Sequence, residues 1–176
     1  MMTLHELLPH LENAELRGPG DLTFTSVTTD SRHCIDNALF FALRGEHHDG
    51  HDFVDALMAK GKVAAVVDRW LDSDATLIKV PDTKKALGQL AAAWRARFEM
   101  PLIAVAGSNG KTTVTQMIAA ILQAAYGTGR WLATRGNFNN DIGLPLMLCE
   151  LASRHRVAAF EMGMNHPGEM AYLATI

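Results

Sequence analysis

Leu4, Leu7, Leu8 and Leu11 recur at i, i+3, i+4 and i+7, so the chain is expected to open on a short amphipathic helix. A threonine-rich extended stretch follows from Leu22 to Thr29, then a polar turn, TDSR, and a second apolar run, ALFFAL. The segment GEHHDGHDF reads as a polar loop. After it, DFVDALMAKG reads as a helix closed by Gly61, KVAAVV as a buried strand and TLIKV as another strand. Leu87, Leu90, Ala91, Trp94 and Phe98 then mark one face of a long helix.

Pro101 is where the texture changes. From there the pattern runs strand (LIAVA), glycine loop (GSNG), then a helix with Val114, Met117, Ile118, Ile121 and Leu122 on one face. A strand is expected around WLATR, followed by the asparagine-rich GNFNND. Pro145 suits the first turn of a helix that groups Leu144, Met147, Leu148 and Leu151. VAAFEMG reads as a strand, and NHPGEMAYLATI opens a further helix. Strands alternating with helices imply an α/β fold with a largely parallel sheet. A small amino-terminal α/β domain is expected over residues 1–98, and a three-layer α/β domain over 99–176. Only about three strands are expected after Pro101, fewer than sheets usually hold, so the second domain is either truncated, the favoured expectation, or unusually small.

Composition narrows the class of protein. The 176 residues are 48% hydrophobic and 20% charged, as in a globular protein with a proper core. The net charge of -3, with both signs dispersed, gives no electrostatic reason to expect nucleic acid or an acidic membrane surface. The start, MMTLHELLPHL, has no basic leader, and no apolar run approaches the roughly 20 residues of a membrane span. Cys34 and Cys149 have no CxxC partner and are expected to be reduced, as in a cytoplasmic protein.

The strongest local chemistry is GSNGKTT, Gly107 to Thr113. A strand that turns on glycines into a helix beginning Lys-Thr points backbone N–H groups and a helix N-terminus at one spot, which suits phosphate. Lys111 would reach the β- and γ-phosphates of a nucleotide, and the Thr112 hydroxyl would ligate Mg²⁺. The common GxxxxGK[ST] form expects glycine five residues before Gly110, where this chain has Val105. The competing reading is a glycine turn that merely caps a helix. Glu161 ends an apolar strand, where open α/β sheets place their ligands, and is either a metal ligand or a surface or N-cap carboxylate.

These strings resemble the Mur ligase family, whose ATP loop has the shorter G-[TS]-x-G-K-T-T form seen at 107–113. TRGNFNNDIGLPL (134–146) and EMGMNHPGEM (161–170) look like the branch of that family that adds D-alanyl-D-alanine. TTDSR, ALFFALRG and DGHDF resemble the family's UDP-substrate domain. The resemblance covers nearly the whole chain. It implies residues 1–98 as a UDP-muramoyl-peptide domain and 99–176 as the first part of an ATP-binding P-loop domain, without the family's carboxy-terminal domain. The implied reaction is ATP-dependent: the tripeptide's terminal carboxylate becomes an acyl phosphate, and the amine of D-alanyl-D-alanine attacks it to form an amide.

The resemblance also implies roles. Gly107, Ser108, Asn109, Gly110, Lys111, Thr112 and Thr113 would hold the triphosphate, and Thr112 with Glu161 would hold Mg²⁺. Asn137, Asn139 and Asn140 would meet substrate or phosphate, although GNFNND is equally a turn-forming sequence. Lys111, Asn139 and His166 are the catalytic candidates. Asn165 and His166 fit as well a helix N-cap followed by Pro167 in the first turn. Ser31 and Arg32 would hold the UDP-muramoyl substrate, since an arginine fork binds pyrophosphate bidentately; the other reading of Arg32 is a surface arginine in a turn. His47, His48 and His51 with Asp49 and Asp52 suggest a metal cluster, but the resemblance explains DGH as a substrate-domain loop.

Sibling ligases that add the diamino acid or lysine, and folylpolyglutamate synthases, share GKTT, but GNFNND and EMGMNHPGE are not expected in them. A GTPase would offer an NKxD-like string, and none occurs. A monomer is expected, with no nucleic acid and no membrane insertion. These residues alone are expected to be inactive as a ligase, because a cleft needs both walls to exclude water.

Overall fold

The computed structural model describes residues 1–33, 36–46, 48–58 and 64–176; Cys34, His47 and the helix end at Gly61 lie outside them. The chain divides into two compact units, Met1–Leu90 and Ala91–Ile176. The change of pattern at Pro101 falls within the second unit, just ahead of its first strand.

The first unit opens on β1 (Met2–Thr3) and the single-turn α1 (Leu4–Leu7), which a 3-10 turn extends to His10. A capping box fixes this start: Glu6 N–H donates to the Thr3 hydroxyl, and Thr3 N–H donates to Glu6 Oε2. The expected leucine face is real, with Leu4, Leu7 and Leu11 buried. Then come β2 (Glu15–Arg17), β3 (Thr23–Phe24), β4 (Ser26–Thr28) and β5 (Ala38–Phe41). They are followed by α2 (Val54–Met58), β6 (Ala64–Val67), β7 (Thr76–Lys79) and α3 (Thr83–Arg95). The main sheet has the order β2-β7-β6-β5-β4. β4 to β7 run parallel, and β2 closes one edge antiparallel.

β5 and β6 are buried at every position, as a central parallel strand covered on both faces must be. Phe40, Ala65, Leu77, Val54 and Leu57 form one core cluster on this sheet. Asp82 Oδ1 starts α3 by accepting from Lys84 N and Lys85 N, and the buried Thr83 hydroxyl donates to Ala42 O. Leu87, Leu90 and Ala91 are fully buried, as the helical spacing predicts. Phe98 lies past the end of α3 and packs edge-on against Trp94, with ring centroids 5.3 Å apart.

The second unit holds β8 (Leu102–Val105), α4 (Lys111–Tyr126), β9 (Trp131–Ala133), α5 (Gly143–Cys149), β10 (Val157–Glu161) and α6 (Glu169–Leu173). Its sheet is three-stranded and wholly parallel, in the order β8-β10-β9. β10 is central and buried along its whole length. Leu144, Met147, Leu148 and Leu151 are buried together as expected.

The orientation of α4 corrects the sequence pattern. Thr115 and Leu122 are its buried positions, and Ile118 and Ala119 pack on the cluster of Leu122, Ala133, Val157 and Ala159. Val114, Met117 and Ile121, expected on the same face, are 45%, 62% and 65% exposed. We predict that Leu122→Ala costs about 2–4 kcal/mol by opening a cavity. Ile121→Ala is expected to cost within about 0.5 kcal/mol, as exposed substitutions do. Urea unfolding of both variants checks this, and equal losses would mean that α4 is turned differently.

No helix among the described residues is long and apolar enough to cross a membrane.

Candidate functional site

β8, β9 and β10 are parallel, so their carboxyl ends share one edge of the sheet, and the loops that follow them start there. Pairing register makes this concrete. Glu161, the last residue of β10, lies opposite Val105, the last residue of β8, and Met162 N donates to Val105 O at 2.9 Å. Thr134, just past β9, donates its N–H to Ala159 O and accepts Glu161 N–H on its hydroxyl at 2.8 Å. The glycine loop, the asparagine loop and the EMGMN segment therefore leave the sheet beside one another.

The glycine loop has the geometry of an anion cradle. Gly107 and Gly110 sit at φ 151° and 75°, a region that side chains disfavour, and Gly110 hands the chain directly to Lys111, the first residue of α4. The backbone N–H groups from Ser108 to Thr113 donate to no described group; the first helical bond at this end is Val114 N–H to Gly110 O. These amides and the helix dipole point at exposed space. Lys111 Nζ donates to Gly107 O at 2.9 Å, holding the ammonium against its own loop. The glycine five residues ahead of Gly110 is dispensable here because Val105 is still part of β8, and the turn begins two residues later.

Glu161 is 3% exposed, an uncommon position for a carboxylate. Its Oε1 accepts from Asn139 Nδ2 at 2.8 Å, and no described basic side chain pairs with it. Among the described residues, no three of His, Cys, Asp or Glu are grouped so that they could hold a metal ion. An all-protein metal cage is thus not offered by them. Glu161, whose carboxylate is buried, ends β10, and the Thr112 hydroxyl at the start of α4 follows the paired strand β8. Both offer the hard oxygens that Mg²⁺ takes, few from the protein and the rest from phosphate and water.

The three asparagines separate in role. Asn140 Oδ1 accepts from Ile142 N at 3.2 Å and Gly143 N at 2.8 Å, so it holds the turn that leads into α5. Asn139 reaches Glu161, as above. Asn137 is exposed, and its side chain makes no hydrogen bond among the described residues. In the EMGMN segment, Glu169 accepts from Asn165 N, His166 N and His166 Nδ1. The Asn165 N–H first, then the His166 imidazole and N–H, hold the Glu169 carboxyl at about 2, well below its ordinary value. The N-cap of α6 is Gly168 at φ 91°, so neither Asn165 nor Pro167 starts the helix as one reading of the sequence had it.

In the first unit, Ser31 and Arg32 follow β4 at the carboxyl edge of that sheet, in a 3-10 turn. The Arg32 fork is taken by Asp30, with Nε to Oδ1 at 2.9 Å and Nη2 to Oδ2 at 2.7 Å. A pyrophosphate would have to compete with that carboxylate. Among its described residues the histidine-aspartate loop forms a hydrogen-bonded network and no metal cage. His51, whose side chain is buried, lies 2.5 Å from Asp49 Oδ1 through Nδ1 and accepts Asp68 N–H on Nε2. Arg44 and Arg69 bridge Asp49 and Asp68 around it. Nothing in the spacing of the sequence pairs the DGH loop with Asp68, because the partner arrives just past the end of the next strand, β6.

Comparison with known proteins gives this site a family. Residues 105–176 match the Mur ligase middle domain, and residues 23–95 match a domain described as Mur ligase family, catalytic domain. The chain belongs to the Mur ligase family. It is 43% identical over 175 residues to the UDP-N-acetylmuramoyl-tripeptide--D-alanyl-D-alanine ligase of Escherichia coli (strain K12), covering 99% of this chain and 38% of that protein. The enzyme of the same name from Bacillus subtilis (strain 168) is 40% identical, over 85% of this chain and 33% of its own length. A crystal structure of MurF from Acinetobacter baumannii superposes with a TM-score of 0.88 at 39% identity, covering 98% of this chain and 38% of that one. MurF ligase from Thermotoga maritima, solved in complex with ADP, gives 0.73 at 28% identity, covering 88% of this chain and 35% of that one. The chain thus spans about a third of the length of these relatives.

Proposed function

We propose that this chain carries the nucleotide-phosphate site and part of the substrate-binding surface of a ligase. That ligase joins UDP-N-acetylmuramoyl tripeptide to D-alanyl-D-alanine during peptidoglycan precursor synthesis. The observation that carries the reading is the exposed glycine loop, with undonated amides from Ser108 to Thr113, opening beside the buried Glu161 carboxylate. Residues 1–98 serve the UDP-muramoyl peptide and 99–176 the nucleotide. The site works in the cytoplasm, on a monomer, without nucleic acid or membrane insertion.

The residues divide the work as follows. Gly107 to Thr113 surround the triphosphate with N–H donors, and Lys111 leaves Gly107 O to meet the phosphates, adding one positive charge where negative charge moves. Thr112 and Glu161 hold Mg²⁺, which supplies charge neutralisation on the phosphate oxygens when bound. Asn137, exposed beside the site, contacts substrate, and Ser31 and Arg32 meet the UDP moiety. His166 stays tied to Glu169 until substrate displaces that pair. In the reaction a phosphoryl group passes to the tripeptide carboxylate, and the dipeptide amine then displaces phosphate as the amide forms.

Calorimetric titration with Mg·ADP and with UDP-N-acetylmuramoyl tripeptide tests this. Saturable binding of both is expected. Lys111→Ala should weaken Mg·ADP about 10- to 100-fold, the worth of one charge-assisted contact, and leave the tripeptide unchanged. A folded wild-type chain that ignores Mg·ADP would overturn the assignment.

A further inference from the structure

Asn139 makes its contacts with the protein itself. Its carboxamide donates from Nδ2 to Glu161 Oε1 at 2.8 Å, and only the NH₂ end can face a carboxylate, so the orientation of the amide is fixed. Its backbone is pinned on both sides: Asn139 N donates to Asn137 O at 2.8 Å, and Asn139 O accepts from Gly163 N at 2.7 Å. Gly163 is glycine for a reason visible here. A Cβ at that position would lie 3.1 Å from Asn139 Cγ and Oδ1 and 3.2 Å from Nδ2. The carboxamide therefore rests directly on the backbone two residues after Glu161. Thr134 holds the same strand end from the other neighbour by accepting Glu161 N–H.

We infer that Asn139 is a positioning residue for Glu161 rather than a contact for substrate or phosphate, an inference that rests on the nucleotide–Mg²⁺ reading above. A carboxylate left to itself at a strand end samples several rotamers, and each is a different ligand geometry. One hydrogen bond to Oε1 selects a rotamer and leaves Oε2, which has no hydrogen-bond partner among the described residues, for a divalent cation. The chemistry of the partner matters. A neutral amide orders the carboxylate without cancelling its charge, whereas a lysine or arginine would compete with the cation. Supporting partners of this kind typically change metal affinity 10- to 100-fold when removed.

The experiment measures Mn²⁺ affinity by electron paramagnetic resonance, with ADP present, and ADP affinity by calorimetry in excess chelator. It uses the 176-residue chain and its Asn139→Ala, Gly163→Ala and Glu161→Gln variants. Asn139→Ala is expected to weaken Mn²⁺ binding about 10- to 100-fold while metal-free ADP binding is unchanged. Gly163→Ala keeps the carboxamide but pushes on it, and should show a smaller loss of the same kind; it carries the test if Asn139→Ala does not fold. A fall in metal-free ADP affinity in Asn139→Ala would make the residue a phosphate contact and overturn the inference. So would unchanged Mn²⁺ affinity in Asn139→Ala when Glu161→Gln loses it. If the wild-type chain, or Glu161→Gln, shows Mn²⁺ binding independent of ADP and of Glu161, the underlying nucleotide–metal reading fails first and takes the inference with it.

Discussion

Gly143→Ala is expected to destabilise the second unit by about 3 kcal/mol and to disable the Glu161 site, although alanine is the better helix former. Gly143 is the first residue of α5, has no unusual φ, and is buried. Helix propensity alone favours alanine there by about 1 kcal/mol. Space argues the other way. A Cβ at 143 would lie 2.4 Å from Phe138 Cα and 2.6 Å from Phe138 C, which are backbone atoms that cannot rotate aside. The chain from Arg135 to Asn140 must move, and Asn139 moves with it, away from Glu161 and Gly163. Overpacking costs of about 1–3 kcal/mol are usual where a side chain can yield, and this contact is against main chain. Thermal unfolding and Mn²⁺ affinity should therefore both fall. A variant as stable as the parent would show that the asparagine loop is not seated on α5 as described.

Much of the fold was legible because the chemistry is one-dimensional there. Val157 to Phe160 and Ala64 to Val67 are unbroken apolar runs, and only a strand covered on both faces needs that pattern. Leu4, Leu7 and Leu11, and Leu87, Leu90 and Ala91, are spaced for one helical face and bury it. β2 escaped notice because Glu15–Arg17 is a three-residue edge strand whose burial comes from pairing with β7, not from its own composition. α4 was turned wrongly for a different reason. It is apolar nearly all round, and hydrophobicity ranks Val114 and Met117 above Thr115 and Ala119, so periodicity could not tell which stripe faces the sheet.

The site was legible where spacing is the chemistry and hidden where it is not. GSNGKTT specifies its own loop, since the glycines and the Lys-Thr helix start are adjacent in sequence. Glu161 could be placed at a strand end, but its neighbour Asn139 is 22 residues away and meets it only through the parallel sheet. The same limit applies to Asn140, whose bonds hold the turn leading into α5, and to Arg32, whose occupation by Asp30 is a local turn geometry.

The Asp49 network makes a stability prediction with a definite sign. Burial alone would raise the Asp49 carboxyl, but hydrogen bonds from His51 N–H, the His51 ring and Arg69 outweigh it and hold the group well below its ordinary value of 3.8. A carboxylate whose pKa is depressed by folding stabilises the native state above the unfolded value, and that contribution drains away as pH falls below it. Asp49→Ala also leaves the buried His51 ring and its backbone N–H without their acceptor, which is the costlier half of the loss. At pH 7 the expected cost is about 2–3 kcal/mol, below the value for fully buried pairs because Asp49 keeps 28% side-chain exposure. Hydrogen exchange in β6, whose neighbour Asp68 N–H bonds His51, reads this locally: protection should drop in the variant at neutral pH. As pH is lowered from 3.8 toward the depressed value of the folded group, the parent should lose protection toward the variant, because unfolded Asp49 takes up a proton and the folded carboxylate does not. A gap that stays constant across that range would mean the charge of Asp49 contributes nothing and the network acts only through packing.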